Sequence, residues 1–286
     1  MDSSLVIEFD DAPEGDGCFR PPNVITVLPY AVCVHVDAGE ASIVNMGVPI
    51  ASRPWVAIGD GLEAQIDVDG VIGRTRSAVS DIDKAFRNLE ANNARARSKF
   101  RRYFKRNRLR KMWVLTYEEQ TVDRRQVKAD VNSLMVKWRA YRGGEEFPYA
   151  YVLEYHESGF LHVHVAVPLG YMSKDHLQKL WGKGLVWYEE RKAPKGTSGR
   201  KQSEILAGYL AKYLDKSFID DHREFGEHRY EVAQNFDPTQ IRRSFATLSS
   251  ALKFLGEIDG EEFKLFWQSS DKDEWDGRPV WLFSSA

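Results

Sequence analysis

The amino-acid sequence predicts an α+β fold, an α/β sandwich, and three observations indicate it. Residues 22–72 contain strand-like runs that Gly and Asp turns separate. Residues 77–111 have the pattern of a helix that becomes increasingly basic. From residue 113 onward, strand and helix patterns follow in the order β-α-β-β-α-β, with one further helix appended. That order is typical of a ferredoxin-like antiparallel sheet with helices.

The individual elements follow from hydrophobic spacing and from turn and capping residues. Apolar side chains at helical spacing predict the helix 123–142, and Gly143 ends it. A serine at position 203 is expected to cap the appended helix. The predicted strands are 24–27, 31–36, 113–117, 149–155, 161–167, 185–188, 263–267 and 280–283, and the other helices are 173–181, 203–216 and 248–255.

The composition is that of a soluble globular protein. The chain has 286 residues, of which 43% are hydrophobic and 29% charged. No apolar run is long enough to span a bilayer, so we expect no membrane partner. Cys18 and Cys33 are too few for a disulfide framework and lack metal-finger spacing. We therefore expect a cytoplasmic protein with reduced thiols.

The net charge of −2 conceals an uneven distribution of charge. Residues 1–80 carry twelve acidic against four basic side chains, whereas residues 95–111 carry ten basic side chains and no acid. Such a block is typical either of a nucleic-acid contact or of a solvated helical face. The interleaved aromatic residues Phe100, Tyr103 and Phe104 favour an ordered helix that touches something.

Two histidines and a glutamate form a candidate metal site. His162 and His164 lie two apart on a predicted strand, so both imidazoles leave the sheet on the same side. Glu154 lies on the preceding strand, and a tight turn between the strands can bring it to that side if the register is right. Two imidazoles and one carboxylate suit Mg²⁺ or Mn²⁺, and Zn²⁺ is an alternative. The competing interpretation is a pair of ordinary strand histidines.

Two tyrosines four residues apart form a candidate nucleophile pair. Tyr209 and Tyr213 share one helical face, and Lys212 and Lys216 flank them. A phenol near a divalent ion can attack a phosphodiester, and ammonium groups neutralise the developing phosphate charge. The competing interpretation is that the tyrosines border the core.

Together, these motifs resemble the HUH endonuclease superfamily, in particular the rolling-circle replication initiators of plasmids and single-stranded phages with two catalytic tyrosines. The strand 113–117 resembles the first family motif, Glu154 with His162 and His164 resembles the metal motif, and the segment 209–216 resembles the two-tyrosine motif. The resemblance covers residues 113–218. It implies a nuclease domain there, between a basic helical segment at 81–112, an acidic β-rich region at 1–80 and an extension at 219–286.

The resemblance implies metal-assisted nicking of single-stranded origin DNA. One tyrosine would form a 5′-phosphotyrosyl link and release a 3′-OH, and the second would later rejoin the displaced strand. Host helicase and polymerase are implied partners. Basic side chains on the helical segment and in the loop 191–202 are candidates for backbone contacts: Arg101, Arg102, Lys105, Arg106, Arg108, Arg110, Lys111, Arg191, Lys192, Lys195, Arg200 and Lys201.

Other functions remain open at this point. A rolling-circle transposase and a conjugative relaxase share the chemistry, although relaxases usually carry their tyrosines before the histidines. A non-catalytic module that binds single-stranded nucleic acid is a further alternative, because ferredoxin-like sheets commonly display aromatic residues to single strands. Trp187 and Tyr188 fall in a predicted strand, where we expect core packing rather than base stacking.

Overall fold

The computed structural model describes residues 28–46, 56–59, 62–66, 72–77, 81–156, 158–168, 172–189, 191, 193–219, 230–272, 275 and 278–285. The predicted strand 24–27 lies outside these residues. In chain order, the elements are β1 (Tyr30–His35), β2 (Glu40–Asn45), β3 (Val56–Gly59), β4 (Leu62–Ile66), β5 (Ile72–Ser77), α1 (Asp81–Asn107), β6 (Leu109–Leu115), α2 (Arg124–Tyr141), β7 (Ala150–Tyr155), β8 (Leu161–Pro168), α3 (Lys174–Trp181), β9 (Val186–Glu189), α4 (Gly199–Ile219), β10 (Tyr230–Val232), β11 (Ile241–Phe245), α5 (Leu248–Gly256), β12 (Lys264–Gln268) and β13 (Val280–Ser284).

The α+β class is confirmed, and the described residues fall into two units. The first unit takes its residues from 1–36, 40–91 and 240–285, and the second from 37–39 and 92–239. The second unit contains the predicted β-α-β-β-α-β order, from β6 to β9, with α4 appended. Among the helices that the structure describes, none is both long and apolar enough to cross a membrane.

The sheet of the second unit has the strand order β10-β7-β8-β6-β9, and every pair is antiparallel. Its strands β7, β8, β6 and β9 have the ferredoxin-like arrangement that the element order predicts. The short strand β10 is an addition that no sequence pattern predicted. It pairs with β7 and extends that edge of the sheet.

Helices cover both faces of this sheet. On one face, α2 and α3 bury a cluster that includes Trp138, Leu177 and Trp113. On the other face, aromatic and aliphatic residues of α1 and α4, such as Phe104 and Leu210, pack on β6, β7 and β8. We call this second side the histidine face, because successive strand side chains alternate and His164 shares it with buried Val152.

The basic helix ends earlier than the sequence predicted. It was expected to continue to residue 111, but α1 ends at Asn107 and Arg108 has a left-handed backbone, with φ 52°. The Asn107 amide donates to the carbonyls of Tyr103 and Phe236, which closes the last turn. Burial of Leu109 and Met112 then draws the chain into β6, so Arg110 and Lys111 lie on a strand.

The appended helix begins earlier than predicted, and a different serine lies at its start. Helix α4 starts at Gly199, and the Ser198 hydroxyl accepts a hydrogen bond from the amide of Lys201. Ser203, predicted as the cap, is buried inside the helix and donates its hydroxyl to the carbonyl of Gly199. Two serines five residues apart gave the same capping signal, and packing selected the first.

The first unit contains a five-stranded sheet that combines strands from both ends of the described chain. Its order is β11-β1-β2-β13-β12, and α5 packs on one face through buried Ala251 and Leu255. Strands β1 and β13 lie close to the predicted runs 31–36 and 280–283, and α5 lies close to 248–255. Strands β3, β4 and β5 form a separate antiparallel sheet.

Candidate functional site

The β7–β8 hairpin places Glu154 and both histidines on the same face of the sheet. Its turn is closed by two backbone hydrogen bonds between His156, Gly159 and Phe160, and Gly159 has the positive φ of 82° that the turn requires. The resulting register sets Glu154 directly opposite His162. Directly opposed residues share a face, so the slip that would have turned Glu154 away does not occur.

Glu154 and His164 are in direct contact. The His164 Nε2 and Glu154 Oε2 atoms are 2.7 Å apart, and His164 is only 5% exposed. Nδ1 of His164 is buried and has no hydrogen-bond partner in the part of the chain that the structure describes. The ring is therefore fixed between a carboxylate on one side and the packing of the histidine face on the other.

His162 is half-buried and stacks on His156, with ring centroids 4.8 Å apart. Burial lowers the pKa of His162, and the neighbouring imidazoles of His156 and His164 lower it further. A lowered pKa keeps the imidazole neutral at neutral pH, and only the neutral ring can donate a lone pair to a metal ion.

The donor set of Glu154, His162 and His164 fits a divalent ion in chemistry and in face. Neighbouring ligands of an octahedral ion with bonds of about 2.1 Å lie about 3 Å apart, which is close to the separation of Glu154 and His164. Within the described residues, no three His, Cys, Asp or Glu side chains are gathered into a metal-binding group. His162 is stacked on His156 instead of completing the set.

Helix α4 carries both tyrosines to this pair. The Tyr213 ring stacks on the His164 ring, with centroids 4.3 Å apart and planes 17° apart. The hydroxyls of Tyr209 and Tyr213 are 3.0 Å apart and hydrogen-bonded, as the shared helical face predicts. Tyr213 is 5% exposed and Tyr209 is half-buried, so the two phenols differ in access to solvent.

Cations surround the two phenols. Lys212 Nζ lies 3.9 Å from the ring centroid of Tyr209 and 4.3 Å from that of Tyr213, and Arg191 Cζ lies 3.2 Å from that of Tyr209. Burial raises the pKa of Tyr213, and the hydrogen bond from Tyr209 and the charge of Glu154 raise it further. Tyr213 is therefore a neutral phenol in this state, and positive charge is required to activate it.

The structure brings some of the predicted DNA-contact residues together and separates others. Arg108 and Arg110 lie beside Gly199 at the start of α4, close in sequence to Arg200, and Arg191 lies on Tyr209. Lys105 is only 3% exposed, so it lies inside the packing of α1 and not on its surface. The remaining positions are spread over several elements: Arg101, Arg102 and Arg106 on α1, Lys111 on β6, Lys195 in a loop and Lys201 on α4.

Two of these cations have acidic partners, and two predicted residues fall outside the described side chains. Arg106 pairs with Asp37, and Lys201 Nζ lies 2.9 Å from Glu204. Lys192 lies outside the described residues. Lys216 belongs to α4, but its side chain is outside the described part of the structure.

Sequence reasoning missed two residues at or near this site. His156 stacks on His162, and the available signal was its position at the hairpin turn directly before the histidine strand. Trp187 was expected in the core but is 52% exposed. It differs from Trp113, a fully buried tryptophan on the neighbouring strand.

Comparison with known proteins points to DNA replication. Residues 110–218 match a family model of replication-associated proteins, the ORF2 family. The matched segment begins in β6, ends in α4 and contains Glu154, His162, His164, Tyr209 and Tyr213. The match is consistent with a replication initiator and with DNA as a partner. No curated protein and no solved structure matches the chain.

Proposed function

We propose that this chain is a replication initiator that nicks single-stranded DNA by tyrosine transesterification. The observation that carries the proposal is the stack of Tyr213 on His164, which joins the tyrosine pair to the Glu154–His164 pair. A core tyrosine needs no such company of carboxylate, imidazole and cations. The match of residues 110–218 to the ORF2 family of replication-associated proteins supports the same function.

In the proposed reaction, a phenol oxygen attacks the scissile phosphorus. A new bond forms between the phosphorus and the tyrosine oxygen, while the bond between the phosphorus and the 3′-oxygen breaks. The tyrosine keeps the 5′-phosphate, and the 3′-oxygen takes up a proton and leaves as a free hydroxyl. The number of phosphoester bonds is conserved, so the step requires no nucleoside triphosphate. The free 3′-OH would prime a host polymerase.

The side chains have distinct proposed roles in this step. Glu154, His162 and His164 would hold Mg²⁺ or Mn²⁺, which supplies positive charge to a phosphate oxygen when bound. Lys212, near both rings, would neutralise the charge of the phosphate as it develops, as would Arg191. The 3.0 Å contact of the two hydroxyls gives the phenolic proton a path between them.

The hydroxyl contact also suits a two-step reaction cycle. Because the Tyr209 and Tyr213 oxygens are 3.0 Å apart, both lie within reach of one phosphate position. After one round of replication, the tyrosine that remained free would attack the regenerated site. The strand held by the first tyrosine would then be released by attack of the new 3′-OH, which closes it as a circle.

A denaturing gel tests the proposal. Purified chain with Mn²⁺ is incubated with labelled single-stranded oligonucleotides that tile the replicon encoding it, and a covalent adduct is expected. The adduct should disappear in Tyr209→Phe/Tyr213→Phe and in His162→Ala, and it should persist in the control Tyr117→Phe, which lies against α2. An adduct that survives the double substitution would overturn the nucleophile assignment. Binding without any adduct in wild type would favour a non-catalytic module.

A further inference from the structure

The edge strand β9 carries an exposed tryptophan on the histidine face. In the sheet register, Val114 pairs with His164 on one side and with Trp187 on the other. His164, Val114 and Trp187 therefore form one row across three strands, with their side chains on the same face. At a strand spacing of about 4.8 Å, Trp187 lies about 10 Å from His164 along the sheet.

Trp187 has not been buried by the helix that covers the rest of this row. Helix α4 packs on β6 and β7, whereas Trp187 at the β9 edge keeps 52% of its surface exposed. In the adjacent row, Leu185 is 58% exposed and hydrogen-bonds through its backbone to Thr116. An exposed tryptophan beside an exposed leucine is an unusual surface for a monomeric protein and marks a binding site.

Cations lie on the aromatic rings of this edge, from Trp187 to the tyrosines. Lys174, the first residue of α3, places Nζ 4.8 Å from the Trp187 ring centroid. Arg191 lies over Tyr209, and Lys212 lies over Tyr209 and Tyr213. Glu189 pairs with Arg191, so part of this positive charge is balanced within the chain. Aromatic faces combined with lysine and arginine are typical of sites for single-stranded nucleic acid.

We propose that Trp187 and Lys174 form a stacking subsite for one base of the single-stranded DNA that flanks the scissile phosphate. This inference rests on the proposed function for the position of the phosphate. A distance of about 10 Å corresponds to about three nucleotides at the stacked rise of 3.4 Å. The subsite takes a single strand, since the bases of a duplex are stacked on each other and do not offer a face to Trp187.

The subsite would position the DNA rather than react with it. A base stacked on Trp187, with its phosphate near Lys174, fixes how far the strand extends toward Tyr209 and Tyr213. Stacking is tolerant of sequence, because every base has a π-face. Trp187 therefore contributes affinity and register, and it leaves the choice of origin sequence to other contacts.

Binding is measured by fluorescence anisotropy of labelled oligo(dT) with Tyr209→Phe/Tyr213→Phe protein, in which no covalent step interferes. Trp187→Ala in this background should weaken binding about tenfold, the loss typical of one stacked base, and Trp187→Phe should restore most of the affinity. The matched control is Tyr141→Ala, a 56% exposed aromatic residue of α2, and its affinity should not change. Unchanged affinity in Trp187→Ala would overturn the subsite, as would equal losses in Trp187→Ala and Tyr141→Ala.

A second measurement locates the base. An oligonucleotide that forms the adduct is made with 2-aminopurine at successive positions, and quenching by Trp187 is expected at one position within about three nucleotides of the nick. Quenching that is the same in Trp187→Ala would contradict the subsite. The two proposals fail separately: an absent adduct with a loss of binding in Trp187→Ala refutes only the nuclease. A normal adduct with unchanged binding in that variant refutes only the subsite.

Discussion

The hydrogen bond between the two tyrosine hydroxyls predicts a specific coupling in a double-mutant cycle. Tyr209→Phe and Tyr213→Phe each remove one hydroxyl from a contact of 3.0 Å in a partly buried site. A typical hydrogen bond of this kind contributes about 0.5–1.5 kcal/mol to the free energy of unfolding. Because either substitution breaks the same bond, the double variant should lose about 1 kcal/mol, rather than about 2 kcal/mol for independent sites.

The assay is urea unfolding of the four proteins, followed by far-UV circular dichroism at one temperature and pH. The matched control is the pair Tyr209→Phe and Tyr117→Phe, because the Tyr117 hydroxyl bonds to Asp130 against α2, away from the histidine face. That pair should be additive within about 0.5 kcal/mol. Additive losses for Tyr209 and Tyr213 would refute the contact and, with it, the basis for assigning both phenols to one phosphate.

Two further predictions concern glycines and the lysine between the tyrosines. Gly184→Ala should lower the free energy of unfolding by about 1–3 kcal/mol, because a Cβ at this position would lie 2.3 Å from the backbone carbonyl oxygen of Thr116. Gly208→Ala, on α4 with nothing within 4 Å of a new Cβ, should raise it by about 0.5–1 kcal/mol, and a loss in this control would contradict the open helix face. Lys212→Gln should slow single-turnover cleavage about 100-fold at an unchanged melting temperature, and an unchanged rate would remove Lys212 from the charge-neutralising role.

The elements with strong local patterns were predictable from the sequence. Helix α2 buries Val127, Val131 and Leu134 at the spacing that predicted it, and its N-terminus is set by the side chain of Asp123. The strands β7 and β8 followed from alternating or continuous apolar runs around a Gly-containing turn. The same alternation placed His162 and His164 on one face, and the short turn was sufficient to bring Glu154 there.

The features that the sequence did not predict depend on contacts between distant residues. The end of α1 is set by the Phe236 carbonyl, which accepts from Asn107. Strand β10 exists because it pairs with β7, and β13 pairs with β2 across most of the chain. Pairings of this range leave no periodic signal in either partner, so no local pattern could have shown them.

Charge and exposure were predicted least well, for a physical reason. A dense run of basic residues predicts a charged helix, but it does not say which of them face the core, and Lys105 is buried among aromatic neighbours. Trp187 has the same strand pattern as a core residue, and its exposure is decided by where α4 stops covering the sheet. Both outcomes depend on helix placement, which a single sequence does not encode locally.

Mapping the DNA-linked peptide tests the central claim most directly. Trypsin cleaves after Lys201, Lys212 and Lys216, so residues 202–212 carry Tyr209 and residues 213–216 carry Tyr213 on separate peptides. After nuclease trimming of the adduct, mass spectrometry should find a nucleotide 5′-phosphate on one or both of these peptides. A nucleotide on any other peptide, or wild-type protein that forms no adduct with any strand of its replicon, would contradict tyrosine transesterification at this site.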